Sequence, residues 1–332
     1  MLRFGLFGAG RIGRVHAASV AMHPRAELTV VYDPVEAAAR EIAAQYGAAP
    51  TGDAKTILGD PDIDAVIIAS PTPTHVELLT ASAQAGKAVL CEKPIDLDLA
   101  RVDACWADIK GLNATVMIGF NRRFDPSFVE IRNRVASGEI GQLEQLIITS
   151  RDPAPAPAAY IATSGGLFRD MTIHDFDMAR FFLGDIVEVQ AMASTNGLEM
   201  FANAGDHAQA IVVMRAGSGA LCTIVNSRTS AYGYDQRLEA FGDLGSLEAG
   251  NLTATAVRTN NATVTEARGP ILHFFVERYT PAYEAEFAEF VSAIDGGRPP
   301  AVGFGDGRAA LVLAEAAAES VATGRAVQVS QG

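Results

Sequence analysis

The chain holds 332 residues, enough for about two domains, and its 49% apolar and 20% charged residues are an ordinary globular composition that excludes wholesale disorder. Against 26 Lys and Arg stand 39 Asp and Glu, and the net charge of −13 opposes phosphate backbones and anionic lipid surfaces, so neither nucleic acid nor membrane is an expected partner. Three scattered cysteines (Cys91, Cys105, Cys222) without a C-x-x-C pair argue against disulfides and cysteine-held zinc; with no apolar run long enough for a membrane span and no signal-peptide pattern, the expected location is the cytoplasm.

In chain order, residues 4–7 form an apolar run that leads straight into Gly8-Ala9-Gly10-Arg11-Ile12-Gly13. Residues 11–22 carry apolar side chains at helical spacing, and 28–32 form a second apolar run ending at Asp33. The alternation continues with a helix over 36–46 closed by Gly47, a strand over 65–69, a helix over 75–85 and a strand over 88–91. A helix over 97–109 and a strand over 116–119 complete this half. Strands alternating with helices predict a parallel sheet covered on both faces. After about residue 122 the pattern changes. A helix over 126–137 and a strand over 143–150 precede a stiff proline loop at 153–157 and a helix over 170–183. Strands over 187–193, 208–214, 220–226, 237–241 and 246–249 follow, some separated by Gly-rich turns, which predicts a mostly antiparallel sheet. Helices over 283–294 and 306–323 and a short strand over 326–329 end the chain.

A glycine triplet alone is a weak signal. Here it follows a strand and opens a helix, and Asp33 ends the next strand twenty residues beyond Gly13, the context of a dinucleotide fold. Gly8 permits the tight turn, Gly10 the approach of a pyrophosphate and Gly13 the packing of helix on strand, with the helix N-terminus facing the phosphates. Asp33 accepts from ribose hydroxyls and repels a 2′-phosphate. Pro34 and Val35 follow it, with no adjacent Arg to hold such a phosphate, so NAD is expected over NADP.

Lys93, in Cys91-Glu92-Lys93-Pro94, stands at the end of a predicted strand, where ligand crevices of such sheets lie. Further on, Asp170 and His174 are four apart and share a helix face, so the carboxylate is placed to orient the imidazole and raise its basicity. The same spacing suits a metal, but two ligands are too few and no other His or Cys is near in sequence.

Taken in order, the Gly8–Gly13 fingerprint, Ser70-Pro71-Thr72-x-x-His75, Glu92-Lys93-Pro94, Gly119-Phe120-Asn121-Arg122-Arg123-Phe124-Asp125 and Asp170-x-x-x-His174 resemble the glucose–fructose oxidoreductase and inositol dehydrogenase family over nearly the whole chain. Within it, Ser150-Arg151-Asp152-Pro153, the segment around Asp170 and His174, and Tyr232-Gly233-Tyr234-Asp235-Gln236-Arg237 look like the inositol 2-dehydrogenases. The resemblance implies an α/β chain, with an N-terminal Rossmann domain over 1–121 and a C-terminal α/β domain over 122–332. The second domain carries a large open, mostly antiparallel sheet that joins four subunits. The resemblance implies Lys93, Asp170 and His174 as the catalytic trio. Cofactor contacts fall to Gly8, Gly10, Arg11, Ile12, Gly13, Asp33, Ser70, Thr72, His75, Glu92 and Lys93. Substrate contacts fall to Lys93, Arg123, Asp152, Asp170, His174 and Tyr234, with Tyr283 a weaker candidate. The expected reaction is NAD-dependent oxidation of a cyclitol hydroxyl, myo-inositol to 2-keto-myo-inositol, without a metal. The alternatives are a relative acting on scyllo-inositol or an aldose, and a nucleotide-binding regulator without catalysis, which the presence of Lys93, Asp170 and His174 opposes.

Overall fold

The structure is a computed structural model, and it describes residues 1–330. The chain divides into two compact units. One is Met1–Phe124 with Thr280–Leu311; the other is Asp125–Tyr279 with the residues from Val312 on.

The first unit is built on six strands: β1 Leu2–Phe7, β2 Ala26–Tyr32, β3 Ala49–Thr51, β4 Ala65–Ile68, β5 Ala88–Glu92 and β6 Val116–Gly119. All pair in parallel, in the order β3-β2-β1-β4-β5-β6. That is the doubly wound order whose connections reverse direction between β1 and β4. Every residue of β4 is buried, as expected of a strand covered on both faces. The helix Glu36–Tyr46 stops at Gly47, which adopts φ 72°, and the helix Leu99–Ile109 starts at Asp98, whose carboxylate accepts from the Ala100 amide at 2.8 Å. Phe4 of β1 packs against Phe287 and Phe290 of the helix Phe275–Gly296. That helix starts at Phe275, before the expected residue 283, although Pro281 lies inside it. The structure runs the helix through it, with Tyr279 and Ala282 buried on either side. Short β3 escaped the sequence reading: it contains Pro50, which an edge strand tolerates.

The second unit carries β7 Leu143–Arg151, β8 Ile186–Ser194, β9 Gln209–Ala216, β10 Leu221–Ser227, β11 Asp235–Gly242 and β12 Gly245–Ala249. Two small strands, β13 Arg258–Thr259 and β14 Ala267–Arg268, pair only with each other, and β15 is Val327–Gln328. The main sheet runs β12-β11-β7-β10-β9-β8-β15; β7 and β10 are parallel and the other pairs antiparallel. Along β9 every second residue is buried (Ala210, Val212, Met214, Ala216), so one face of the sheet packs and the other is open. Helix Ile173–Leu183 is preceded by a wide π turn, Phe168–Thr172, that the helical pattern did not distinguish. The helix Glu199–Ala204 and the β13–β14 pair are too short to leave a periodic signal.

Candidate active site

In the first unit, Gly8 leaves β1 at φ 101°, and a Cβ there would lie 2.6 Å from the carbonyl carbon of Ala69. Only glycine therefore fits where the turns after β1 and β4 touch. A Cβ on Gly13 would lie 2.0 Å from the Gly8 carbonyl oxygen, so Gly13 is the close helix–strand contact. Gly10 is different. Nothing lies within 4 Å of its absent Cβ, which leaves open backbone at the start of the helix Arg11–Met22. Gly10 caps that helix without a side chain, so the first-turn N–H groups receive no side-chain cap and offer partial positive charge to an anion. Arg11 and Ile12 form its first turn. Asp33, half-buried after β2, accepts from the Ala9 amide and the Val35 amide at 2.8 Å each. It braces the glycine turn while each oxygen keeps a further lone pair for a hydroxyl donor. Open backbone at Gly10, an uncapped helix start and a fixed carboxylate fit a dinucleotide.

The next strand ends carry the other predicted residues. The Ser70 hydroxyl lies 2.6 Å from that of Thr74, and Thr72 opens the short 3-10 turn Thr72–Thr74. His75 is 1% exposed, and its ring nitrogens lie 2.8 Å from the carbonyl oxygens of Ser70 and Pro94. The imidazole thus ties the turn after β4 to the segment carrying Lys93, and does not face open space. Glu92 is also buried. Its Oε1 lies 2.8 Å from His16 Nε2, and its Oε2 accepts from the Lys93 amide at 3.3 Å. These two predicted cofactor contacts therefore shape the turns from beneath. Gly119 makes room for Glu92: a Cβ there would lie 3.1 Å from the Glu92 carboxyl carbon. Lys93 itself is half-buried at the end of β5. Arg123, in the turn Asn121–Phe124, donates to Asp306 at 2.9 Å. The ring of Tyr283 meets that of His16 edge-on at 5.7 Å.

One helical turn beyond Tyr283, Glu286 is fully buried, and its carboxyl oxygens have no hydrogen-bond partner among the described residues. Burial, then the charge of Glu92, push this carboxyl well above the ordinary glutamate range. The folded state therefore keeps a proton that the unfolded chain releases, and stability falls as pH rises through that window, by at most about 1.4 kcal/mol per pH unit. Glu286→Gln, neutral at every pH, is expected to remove this slope. Its gain over the unaltered protein should be larger at about pH 8 than at about pH 5, as read by denaturant unfolding. An equal difference at both values contradicts the assignment.

In the second unit, Gly165 and Gly166 at φ 85° and 83° turn the chain into the π turn that holds Asp170. The Leu167 amide donates to Asp206 at 2.7 Å. Thr172 donates to Asn226 at 2.6 Å, and Asn226 donates to Asp175 at 2.8 Å, which fastens the turn and the first turn of the next helix to β10. Asp170 and His174 are both half-buried. The Asp170 carboxylate accepts from the Tyr160 hydroxyl at 2.8 Å and from Arg228 Nη1 at 3.0 Å. Neither partner was anticipated, for Arg228 lies 58 residues away in sequence and belongs to no motif. Of the predicted substrate residues, Asp152 follows β7 and its amide donates to the Ser227 carbonyl at 2.9 Å. Tyr234 is buried, its ring edge-on to Tyr279 at 5.9 Å, whereas exposed Tyr232 accepts from Arg151 at 2.7 Å. Tyr279 in turn donates to Gln236 at 3.2 Å, a link the sequence did not signal because Tyr279 lies just before Pro281. Among the described residues, no group of three His, Cys, Asp or Glu side chains is placed to hold a metal, and no helix is long and apolar enough to cross a membrane.

Residues 2–120 match the model of an oxidoreductase family with an NAD-binding Rossmann fold, and residues 128–248 match the GFO/IDH/MocA C-terminal domain. An inositol 2-dehydrogenase from Rhizobium meliloti is 47% identical over 332 residues, covering 99% of both chains. A myo-inositol 2-dehydrogenase from Thermotoga maritima is 43% identical, also with 99% of each chain covered. Among solved structures, a myo-inositol dehydrogenase from Corynebacterium glutamicum is 52% identical with a TM-score of 0.97 over all of both chains. A scyllo-inositol dehydrogenase from Lactobacillus casei, solved with NAD(H) and scyllo-inositol, is 30% identical with a TM-score of 0.88 over 99% of each chain. With a dinucleotide cradle in one unit, Asp170 and His174 in the other and relatives matched end to end, the chain belongs to the Gfo/Idh/MocA family of NAD-dependent oxidoreductases.

Proposed function

We propose that this enzyme oxidises a ring hydroxyl of an inositol, myo-inositol foremost, to the ketone, giving 2-keto-myo-inositol. The observation that carries this reading is the full-length likeness to proteins named inositol or myo-inositol 2-dehydrogenase, in a chain that carries Lys93, Asp170 and His174. Gly8, Gly10, Gly13 and Asp33 hold the dinucleotide, with Arg11, Ile12, Ser70 and Thr72 lining its path. NAD, when bound, supplies the hydride acceptor. His174 takes the hydroxyl proton, since a neutral imidazole is a base at physiological pH. Asp170 orients that ring. Lys93 donates to the reacting oxygen and stabilises the alkoxide charge that develops as the proton leaves. Arg123, Asp152, Tyr234 and Tyr283 are the proposed contacts to the remaining hydroxyls.

Scyllo-inositol is the second reading, because a 35% identical relative from Bacillus subtilis carries the name scyllo-inositol 2-dehydrogenase (NAD(+)). Initial rates of NADH formation across myo-inositol, scyllo-inositol and common aldoses test both. The highest kcat/KM is expected with myo-inositol. A higher value with an aldose overturns the proposal.

The assembly proposed with this function is a homotetramer, and the open face of the second unit's sheet supports it. Met192, Ile211 and Val225 lie in one register row and Val213, Thr223 and Ile147 in the next, and Met192 and Ile211 are 78% and 54% exposed. A patch of this kind is a protein contact surface. Sedimentation at four times the chain's 34.9 kDa supports the assembly, and a monomer in solution contradicts it. A cytoplasmic location agrees with three buried, unbridged cysteines.

A further inference from the structure

Arg228 stands just beyond β10 and is 2% exposed. Its amide donates to the Ala208 carbonyl at 2.7 Å, which fixes the backbone. Its Nη1 donates to Asp170 Oδ2 at 3.0 Å, while Nη2 lies 4.0 Å from Asp206 Oδ2. Nε and Nη2 have no hydrogen-bond acceptor among the described residues. An arginine does not give up its proton in a protein. The guanidinium is therefore a permanent cation away from water, and such a charge persists only beside counter-charge. Among the described residues Asp170 is the nearer anion and the one hydrogen-bonded to it; Asp206 is the second, and its Oδ1 is engaged by the Leu167 amide at 2.7 Å. Tyr160 closes the other side of Asp170 from the helix Ala158–Ile161.

We propose that Arg228 is a positioning residue for the reaction: it fixes the Asp170 carboxylate and offsets its charge at His174. The proposal rests on the catalytic roles given above to Asp170 and His174. His174 lies four residues beyond Asp170, so a bare carboxylate there would hold the imidazole in its protonated form, which is no base. Arg228 offsets that charge while it holds the carboxylate in place. Other titratable groups stand near the turn, among them His207, whose ring lies 6.1 Å from that of Phe168. Arg169 lies 3.9 Å from Glu315, and Asp175 accepts from Asn226. Asp177 is fully buried on the same helix, and Asp152 acts on Tyr160 by its charge.

The test is the pH profile of kcat/KM for inositol oxidation in three variants. Arg228→Met removes the cation at similar volume. Its acid limb is expected to move to higher pH by roughly one unit, with turnover down about tenfold and the KM for NAD within about twofold of the unaltered enzyme. Asp206→Asn removes the second counter-charge and leaves more of the cation uncompensated, so its limb is expected to move slightly to lower pH. Arg228→Lys keeps the charge and loses the planar fork, so its limb stays while turnover falls. A limb that does not move in Arg228→Met, with or without loss of turnover, overturns the proposal, since a purely structural role lowers activity without moving a titration. Should Arg228→Met fail to fold, Asp206→Asn decides, and an unmoved or upward limb there overturns it. The underlying reading fails separately, if Asp170→Asn and His174→Ala keep the turnover of the unaltered enzyme.

Discussion

Replacing Lys93 or His174 by alanine is expected to lower turnover on inositol by about 10²- to 10⁴-fold while the affinity for NAD changes by less than about threefold. On the proposed reading the two residues act on the two halves of one proton problem. As the hydride leaves carbon, charge collects on the hydroxyl oxygen unless its proton departs. In the proposed mechanism His174 removes the proton and Lys93 stabilises the oxygen that loses it, so loss of either should raise the barrier of the same step. The contributions are therefore not additive, and the double variant should fall little below the worse single one. Neither residue belongs to the Gly8–Gly13 turn or to Asp33, which is why NAD binding should survive, as measured by fluorescence titration of NADH. A variant that keeps more than about a tenth of the original turnover places the chemistry elsewhere.

Replacing Asp33 by alanine is expected to raise the KM for NAD by about 10- to 150-fold, the loss of charge-assisted hydrogen bonds worth roughly 1.5–3 kcal/mol. The structure adds a second reason for a large effect. The same carboxylate accepts from the Ala9 and Val35 amides, so its removal also loosens the glycine turn from which the first helix starts. Turnover at saturating NAD should change little, since Asp33 is remote in role from the proton and the hydride. The unaltered enzyme should use NADP poorly, because the carboxylate repels a 2′-phosphate and Pro34 and Val35 offer nothing to hold one. Equal kcat/KM for the two cofactors contradicts this account of Asp33.

The first unit was legible because its signals are local. Gly8, Gly10, Gly13 and Asp33 lie within one strand–helix–strand segment, and continuous apolar runs such as β4 need no partner to be recognised. The sheet of the second unit was legible from the alternation along strands such as β9. What escaped depends on contacts between distant residues. Arg228 reads as a surface arginine until β10 carries it to Asp170. Glu286 carries no local signal of its environment; only the fold reveals that burial, then the charge of Glu92, push its carboxyl well above the ordinary range. His75 and Glu92 sit in motifs that mark a cofactor site, yet motif membership does not say which way a side chain points. Both turn inward, onto backbone carbonyls and onto His16. The helix Phe275–Gly296 runs through Pro281 and starts well before residue 283, since packing on both sides overrides the local cost of a proline.

In the proposed reaction a hydride passes from an inositol ring carbon to NAD. Incubating the enzyme with NAD and myo-inositol deuterated at carbon 2, then weighing the NADH and the ketone product by mass spectrometry, follows that hydride. NADH carrying one deuterium is expected, with an equal amount of 2-keto-myo-inositol that has lost it. NADH without deuterium, or no NADH from any inositol, would contradict the proposed reaction.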